Sequence, residues 1–236
     1  MTRYLDLNAD LGEEVTDDAA LLGVVTSANV ACGYHAGSVE IMRAVCEQAA
    51  ELGVSVGAQV SYDDRENFGR VARDVPGAVL AEQVADQVGT LSAIASAAGT
   101  GVRYVKPHGA LYHRVLDDEE QAAAVLEGSG SLPVLGMPGA LLRGADRVGR
   151  LILLEGFPDR GYGAGGRLLP RDRPGALLED TDAIAAQALA LAGSVDSPVD
   201  FPVDSLCVHG DSPGAVEHAA AVRRGLEAAG WSLRGL

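Results

Sequence analysis

Lysine occurs once in this sequence, at position 106, although the composition counts 18 lysine and arginine residues together. Every other basic side chain is therefore arginine. An arginine fork is broad and stays protonated, whereas a lysine ammonium is a compact charge that can approach one oxygen or release its proton. Because the chain uses arginine wherever either residue would serve, Lys106 predicts a point contact to a phosphate or carbonyl oxygen, or acid–base chemistry.

Side chains that exchange protons gather in a few short motifs around this lysine. The motifs are DLNADLGE (6–13), ACGYHAG (31–37), KPHGALYH (106–113) and VHGDSPG (208–214). Carboxylates and imidazoles are the usual general acids and bases, so these residues join Lys106 as the predicted catalytic set: Asp10, His35, His108, His209 and Asp211. The sequence assigns no individual role among them.

A second group of polar residues is predicted to bind substrate: Asp6, Asn8, Asn29, Tyr112 and Arg160. For other polar residues a simpler structural interpretation is preferred. Glu13 is expected to cap the first helix, and His113 and His218 are expected to be exposed on helices. His35 fits a hydrogen-bonded turn as well as catalysis. The arginines between 160 and 173 either form a solvated loop or, with the glycines there, arrange backbone amides around an anion.

The elements that must position these motifs alternate along the chain. Short apolar runs predict strands at 4–8, 24–31, 54–60, 102–106, 132–136, 150–156 and 205–210, with a last short strand in GWSLRGL (230–236). Helical periodicity predicts helices at 42–52, 80–94, 119–127, 139–148, 182–192 and 213–229, the last starting at Ser212 and Pro213. Strand–helix alternation indicates a parallel sheet. One domain over residues 1–236, folded as a seven-stranded or distorted TIM-like β/α barrel, is expected, with an open doubly wound sheet as the alternative.

Side-chain alternation places the polar motifs at one mouth of such a barrel. Active sites of β/α folds form where the strands end at their carboxyl side. Successive residues of a strand point to opposite faces, so alternate positions share a direction. Three sets do so: Asp6, Asn8 and Asp10; Tyr104, Lys106 and His108; Cys207, His209 and Asp211.

Bulk properties exclude several classes of function. A net charge of −15 and a pI near 4.6 argue against nucleic acid or an anionic membrane as partner. No signal-peptide pattern is expected at the N-terminus, and three cysteines without a CxxC motif suit a reducing cytoplasm. No serine is matched with a histidine as in a Ser-His-Asp site, and no P-loop or dinucleotide fingerprint occurs.

Together the motifs resemble the LamB/YcsF family, that of the A subunit of ATP-dependent 5-oxoprolinase. The resemblance rests on DLNADLGE, SANVACGYHAG, NFGR, VKPHGALY, FPDRGY with LLPR and PGALL, and CVHGDSP, which span nearly the whole chain. It implies a β/α barrel related to glycoside hydrolase and carbohydrate deacetylase barrels. It also implies opening of the 5-oxoproline lactam to glutamate with hydrolysis of ATP in the presence of Mg²⁺, together with partner subunits B and C. The nucleotide site would be shared with those partners, and homo-oligomerisation is left open.

Three positions depart from the family pattern. Ser38 stands where an aspartate is usual, and Gln59 and Val60 replace a histidine–proline pair. A neutral amide is a poor zinc ligand, so no tightly bound metal is expected. Two other functions stay open. One is a metal-dependent amide or acetyl hydrolase with Asp10, His35 and His209 around a divalent ion, and the other is a non-catalytic binding subunit.

Overall fold

Parallel strands close into a barrel in the computed structural model, which describes residues 3–15, 17–193, 196–212 and 214–236. The barrel strands are β1 (Arg3–Leu11), β2 (Ser27–Ala31), β3 (Ser55–Val60), β4 (Val102–Pro107), β5 (Val134–Gly136), β6 (Ile152–Gly156) and β7 (Ser205–Val208). β1 pairs with β2 on one side and with β7 on the other, so the sheet has no open edge between its first and last strands. The predicted seven-stranded barrel is confirmed, and the open sheet is excluded.

The last predicted strand is also confirmed. β8 (Trp231–Leu233) pairs in parallel with the beginning of β1, where Arg3 is opposite Trp231. This pairing lies before the segment of β1 that pairs with β7, Asp6 to Ala9. β8 therefore extends one end of the barrel and does not enter the ring of seven strands.

Helices follow the strands as the sequence predicts, with two additions. The helices are α1 (Asp18–Leu22), α2 (Val39–Leu52), α3 (Gly77–Ala97), α4 (Gly109–Arg114), α5 (Glu119–Gly128), α6 (Ala140–Arg147), α7 (Thr181–Gly193) and α8 (Ala215–Ala228). α1 and α4 are too short to give a helical period. α8 has Gly214 and not Ser212 as its N-cap, and Pro213 lies outside the described residues. Among the described residues, none of the helices combines the length and apolar character that a membrane crossing requires.

The two faces of the barrel wall differ in polarity. On β1, Leu5, Leu7 and Leu11 are buried in the main apolar core, which joins the strands to the surrounding helices. The opposite face of the same strand carries Asp6, Asn8 and Asp10, which are also buried. The centre of the barrel is therefore a polar network, whereas the centres of most β/α barrels are filled by branched aliphatic side chains.

A glycine makes room for a tyrosine ring in this interior. A Cβ atom on Gly57 of β3 would lie 2.2 Å from the ring of Tyr104 on β4, so no larger residue fits there. The Tyr104 hydroxyl donates to Asn29 Oδ1 at 2.6 Å. Gly57 thus allows a full aromatic ring inside the barrel beneath the polar cluster.

Candidate active site

Lys106 lies inside the barrel in contact with two carboxylates and a thiol. Its Nζ atom is 2.8 Å from Glu155 Oε1, 3.2 Å from Asp10 Oδ1 and 3.1 Å from Cys207 Sγ. Burial alone would lower the pKa of the ammonium, but the carboxylates of Asp10 and Glu155 outweigh it and hold that pKa well above its ordinary value. The lysine therefore stays charged, as the centre of a buried ion-pair network that the sequence does not reveal.

The two carboxylates of this network respond differently to burial. Burial raises the pKa of Glu155, and the nearby ammonium only partly offsets that effect. Burial also acts on Asp10, but there Lys106 and His209 reverse it and lower the pKa of the carboxyl. Asp10 is thus the more acidic of the two carboxyl groups. Tyr112 supports Glu155 from the other side, because its hydroxyl donates to Oε2 at 3.0 Å.

His209 is oriented by a buried aspartate that the sequence interpretation missed. Asp159 accepts the backbone N–H of His209 at 2.8 Å, and its Oδ2 lies 2.9 Å from His209 Nδ1. Burial would raise the pKa of Asp159, but His209 reverses this and lowers it. The contact engages Nδ1, so Nε2 is the ring nitrogen available to a bound molecule. Phe157 stacks on the imidazole with ring centroids 5.4 Å apart.

Most of the predicted catalytic residues line a single cavity at the carboxyl ends of the strands. The cavity has a volume of about 280 Å³, which is near the lower limit of small-molecule sites. Its lining includes Asp10, Lys106, His108, Tyr112, Arg160 and His209. A small substrate that the cavity walls largely surround would fit such a site.

Other predicted site residues lie deeper or at the rim. Asp6 is below the cavity, where it accepts hydrogen bonds from Thr26, Ser27 and Ser205. Burial, against the effect of these hydroxyls, raises the pKa of Asp6 to about 6. At the rim, Asp211 forms ion pairs with Arg70 and Arg171.

Two asparagines connect the deep layer to Lys106. Asn8 Nδ2 donates to Ser205 Oγ at 2.6 Å and to Glu155 Oε1 at 3.2 Å. Asn29 Nδ2 donates to Asn8 Oδ1 at 2.6 Å and to Asp10 Oδ1 at 2.8 Å. Asn8 thus donates to Glu155 and Asn29 to Asp10, the two carboxylates that contact Lys106. Both asparagines therefore fix the positions of these carboxylates from the deeper side of the barrel.

Arg160 has its guanidinium committed to the protein backbone. Its Nε donates to the carbonyl of Ala176 at 3.0 Å and its Nη2 to that of Leu169 at 2.7 Å. Arg160 thereby fastens the loop that follows β6, on which Leu168, Pro170 and Arg171 line the cavity. Arg167 instead pairs with Asp117. Arg160 and Arg171 both line the cavity, but only the Arg171 guanidinium pairs with Asp211 at its rim.

Glu13 is a correction to the sequence interpretation. The cap of α1 is Asp17, whose side chain accepts the N–H of Ala20. Glu13 is buried instead between two histidines, with Oε1 at 3.6 Å from His35 Nε2 and 3.4 Å from His108 Nε2. Burial raises the pKa of Glu13. Burial also lowers the pKa of His108 well below its ordinary value, and nearby cationic groups such as Arg70 and Lys106 lower it further. Neutral His108 is therefore the form present near pH 7.

The remaining histidine interpretations have mixed outcomes. His113 is exposed on α4, as expected, but His218 is buried on α8. The structure places His35 in the buried cluster with Glu13 and His108, and its ring stacks on that of His108 with centroids 4.1 Å apart. His35 is thus part of the site region through its neighbours, although it does not line the cavity itself.

The departures from the family pattern have local structural roles. Ser38 is the N-cap of α2, where its hydroxyl accepts the N–H of Ile41. A serine caps a helix about as well as an aspartate. Gln59 is buried at the end of β3 and donates through Nε2 to Glu13 Oε1 at 3.0 Å. Val60 is a core residue. The Ser38 departure therefore affects a helix cap away from the cavity, and the Gln59 departure places a hydrogen-bond donor on Glu13.

Comparison with known proteins agrees with this architecture. The LamB/YcsF family model matches residues 5–236. The chain belongs to the LamB/YcsF family. One member, which bears the name of the A subunit of 5-oxoprolinase, comes from Streptomyces avermitilis and is 54% identical over 242 residues, covering 96% of this chain and 97% of its own. Another of that name, from Mycolicibacterium paratuberculosis, is 50% identical and covers 98% of both chains.

Solved structures place this family member among known barrels. The lactam utilization protein from Thermus thermophilus superposes over 100% of both chains with a TM-score of 0.91 at 34% identity. The catalytic domain of a peptidoglycan N-acetylglucosamine deacetylase from Eubacterium rectale superposes with a TM-score of 0.54 at 11% identity, over 100% of this chain and 89% of its own. The second likeness shows a shared fold alone, so the expected similarity to deacetylase barrels is confirmed for the fold.

Proposed function

We propose that this chain is the A subunit of a 5-oxoprolinase, a hydrolase that opens the small cyclic amide 5-oxoproline to glutamate. The observation that carries the proposal is the meeting of Lys106 and the Asp159–His209 pair at one small cavity. The support from outside the cavity is the near full-length match to family members of that name.

The chemistry of a lactam explains why a nucleotide is expected. A five-membered lactam is resonance-stabilised, and transfer of a phosphoryl group from ATP to its oxygen creates a leaving group. Water then adds to the activated carbon, the ring C–N bond breaks as the nitrogen is protonated, and hydrolysis of the acyl phosphate releases glutamate and phosphate. These steps need positive charge near the oxygen and a base for water.

The site residues suit those needs. Lys106 supplies a fixed positive charge at the floor of the cavity. His209, held through Nδ1 by Asp159, presents Nε2 as the base for water. Arg70 and Arg171 at the rim offer contacts for phosphate oxygens if Asp211 releases them. Those contacts are few for a triphosphate and its Mg²⁺, so we propose that partner subunits B and C supply part of the ATP site. We expect the complex to act in the cytoplasm.

The test is reconstitution with B and C subunits from the same source. The isolated chain should show little 5-oxoproline-dependent phosphate release, and activity should appear on mixing. A family member such as the Streptomyces avermitilis protein, with its own partners, is the positive control. In the complex, residues 160–173 should become protected from hydrogen exchange. Robust ATPase from the isolated chain, unchanged by partners, would contradict the shared nucleotide site.

The same assay separates the other functions that the sequence leaves open. Amide hydrolysis without ATP would favour the metal-dependent hydrolase. Absence of turnover in a complete, stable complex, with the positive control active, would favour a non-catalytic binding subunit. Either result would reject the proposed function.

A further inference from the structure

Glu13, His35 and His108 form a buried cluster beside the cavity, which we call the Glu13 cluster. Each of the three offers one ligand atom, and these atoms lie within 4.8 Å of one another. The two imidazoles stack with an interplanar angle of 18°, and both Nε2 atoms face the same carboxylate oxygen. The three donors therefore surround a common point.

The cluster has more buried polar atoms than its own hydrogen bonds satisfy. In the part of the chain that the structure describes, five buried atoms here have no hydrogen-bond partner: His35 Nδ1 and Nε2, His108 Nδ1, Gln59 Oε1 and Ser61 Oγ. Each such atom costs about 1–3 kcal/mol when it is left unpaired. The distances from Glu13 to the two imidazoles, 3.6 and 3.4 Å, are too long for good hydrogen bonds.

The same distances match the edges of a metal coordination shell. Zinc binds imidazole nitrogen and carboxylate oxygen at about 2.0–2.2 Å, and in a tetrahedral shell the ligand atoms are then about 3.3–3.6 Å apart. Both distances from Glu13 Oε1 fall at that value. We propose that Glu13, His35 and His108 bind a divalent transition-metal ion of the zinc type.

The donor set indicates the class of ion. Two imidazoles with one carboxylate suit Zn²⁺ and its first-row neighbours, whereas Mg²⁺ and Ca²⁺ prefer oxygen ligands alone. Gln59 acts on this site indirectly, because its amide donates to Glu13 Oε1 and orients the carboxylate. The expectation of no tightly bound metal rested on Gln59 as a ligand, and the ligands proposed here are other residues.

Three protein ligands leave a coordination position open. His108 lines the cavity while Glu13 and His35 lie behind it, so a molecule in the cavity could reach the ion past His108. The proposal does not depend on lactam turnover, since the chain would bind the ion whether or not the complex opens a lactam. Its test is therefore a binding measurement.

The experiment is calorimetric titration of the metal-stripped full-length chain with ZnCl₂. We expect one ion per chain and a rise in melting temperature, with no comparable effect of MgCl₂. Glu13→Gln has nearly the same shape and should weaken zinc binding at least about tenfold, as should His108→Ala. His113→Ala removes an exposed histidine outside the cluster and should leave the affinity unchanged.

Two outcomes would overturn the proposal. One is the absence of zinc uptake by the wild-type chain. The other is equal affinity in the wild type and in Glu13→Gln, which would put the ion elsewhere. If His108→Ala fails to fold by circular dichroism, Glu13→Gln decides the question together with Co²⁺ absorption by the wild type. A four-coordinate spectrum with nitrogen and oxygen donors is then expected, and a spectrum of hydrated Co²⁺ would refute the site.

Discussion

Replacing Lys106 by methionine should destabilise the fold by about 3–5 kcal/mol, the usual result of removing one member of a buried ion pair. Nζ lies 2.8 Å from Glu155 and 3.2 Å from Asp10, and Glu155 is fully buried. Without the ammonium, two carboxylates would share one buried space with no cation between them. Methionine keeps most of the volume of the lysine side chain. The loss of stability would therefore come from the missing charge and not from a cavity.

A double-mutant cycle measures how much of this loss of stability comes from the interaction between Lys106 and Glu155. Glu155→Gln removes one of the two carboxylate charges that Lys106 compensates, so the double variant Lys106→Met/Glu155→Gln should be more stable than Lys106→Met alone. We expect a coupling free energy of about 1–3 kcal/mol between the two positions. The measurement is denaturant unfolding at about pH 7.5.

A matched control lies on the same strand. Arg103 is an exposed cation of β4, and Arg103→Met should change stability by no more than about 0.5 kcal/mol. If Lys106→Met loses less than about 1 kcal/mol, or if no coupling to Glu155 is found, the lysine is not the electrostatic centre of the barrel. Catalysis would then be the remaining reason for a lysine at this position.

Two further predictions concern the carboxylates below and beside Lys106. The pKa of Asp6 is raised from 3.8 to about 6, so its stabilising contribution is complete below pH 3.8 and is lost as the pH rises through 6. The free energy of unfolding of the wild type should thus fall by about 1.5 kcal/mol between about pH 5 and 7.5 because of this group. Denaturant unfolding of Asp6→Asn over the same pH range should lack that fall. Equal changes with pH in the two proteins would contradict the raised pKa of Asp6. Asp159→Asn should lower lactam-dependent turnover of the complex at least about 100-fold and change its pH profile, and a wild-type profile would show that His209 is not the base.

Periodicity was enough to predict the alternation of strands and helices because its signals are local, whereas closure into a barrel depends on the pairing of β1 with β7. Each barrel strand is a short apolar run, and alternation along β1 correctly put Asp6, Asn8 and Asp10 on one face. The same reasoning found Lys106 and His209 at the cavity. These features depend on the spacing of neighbouring residues, which the sequence states directly.

The missed residues depend on contacts between distant parts of the chain. Asp159 meets His209 across a separation of 50 residues, and Asn8 meets Glu155 across 147. Glu155 did offer a signal, as a lone acid at the end of the apolar run RLILLEG (150–156). Glu13 offered none, because a carboxylate just after a strand can equally cap the next helix or turn inward. Only the course of the loop after β1 decides between them.

The energetics of this interior indicate why a polar barrel persists in the family member described here. The raised pKa values of Asp6 and Glu155 mean that the folded state holds both ionised groups less favourably than water does. Well-packed apolar residues of similar volume would commonly give equal or greater stability than buried ion pairs. Stability alone therefore does not account for Lys106 and its partners. Perturbed carboxylates near a cavity are typical of functional sites. The lone lysine is thus explained by two needs at once: a compact cation that fits among Asp10, Glu155 and Cys207, and a fixed charge at the point where a small substrate would bind.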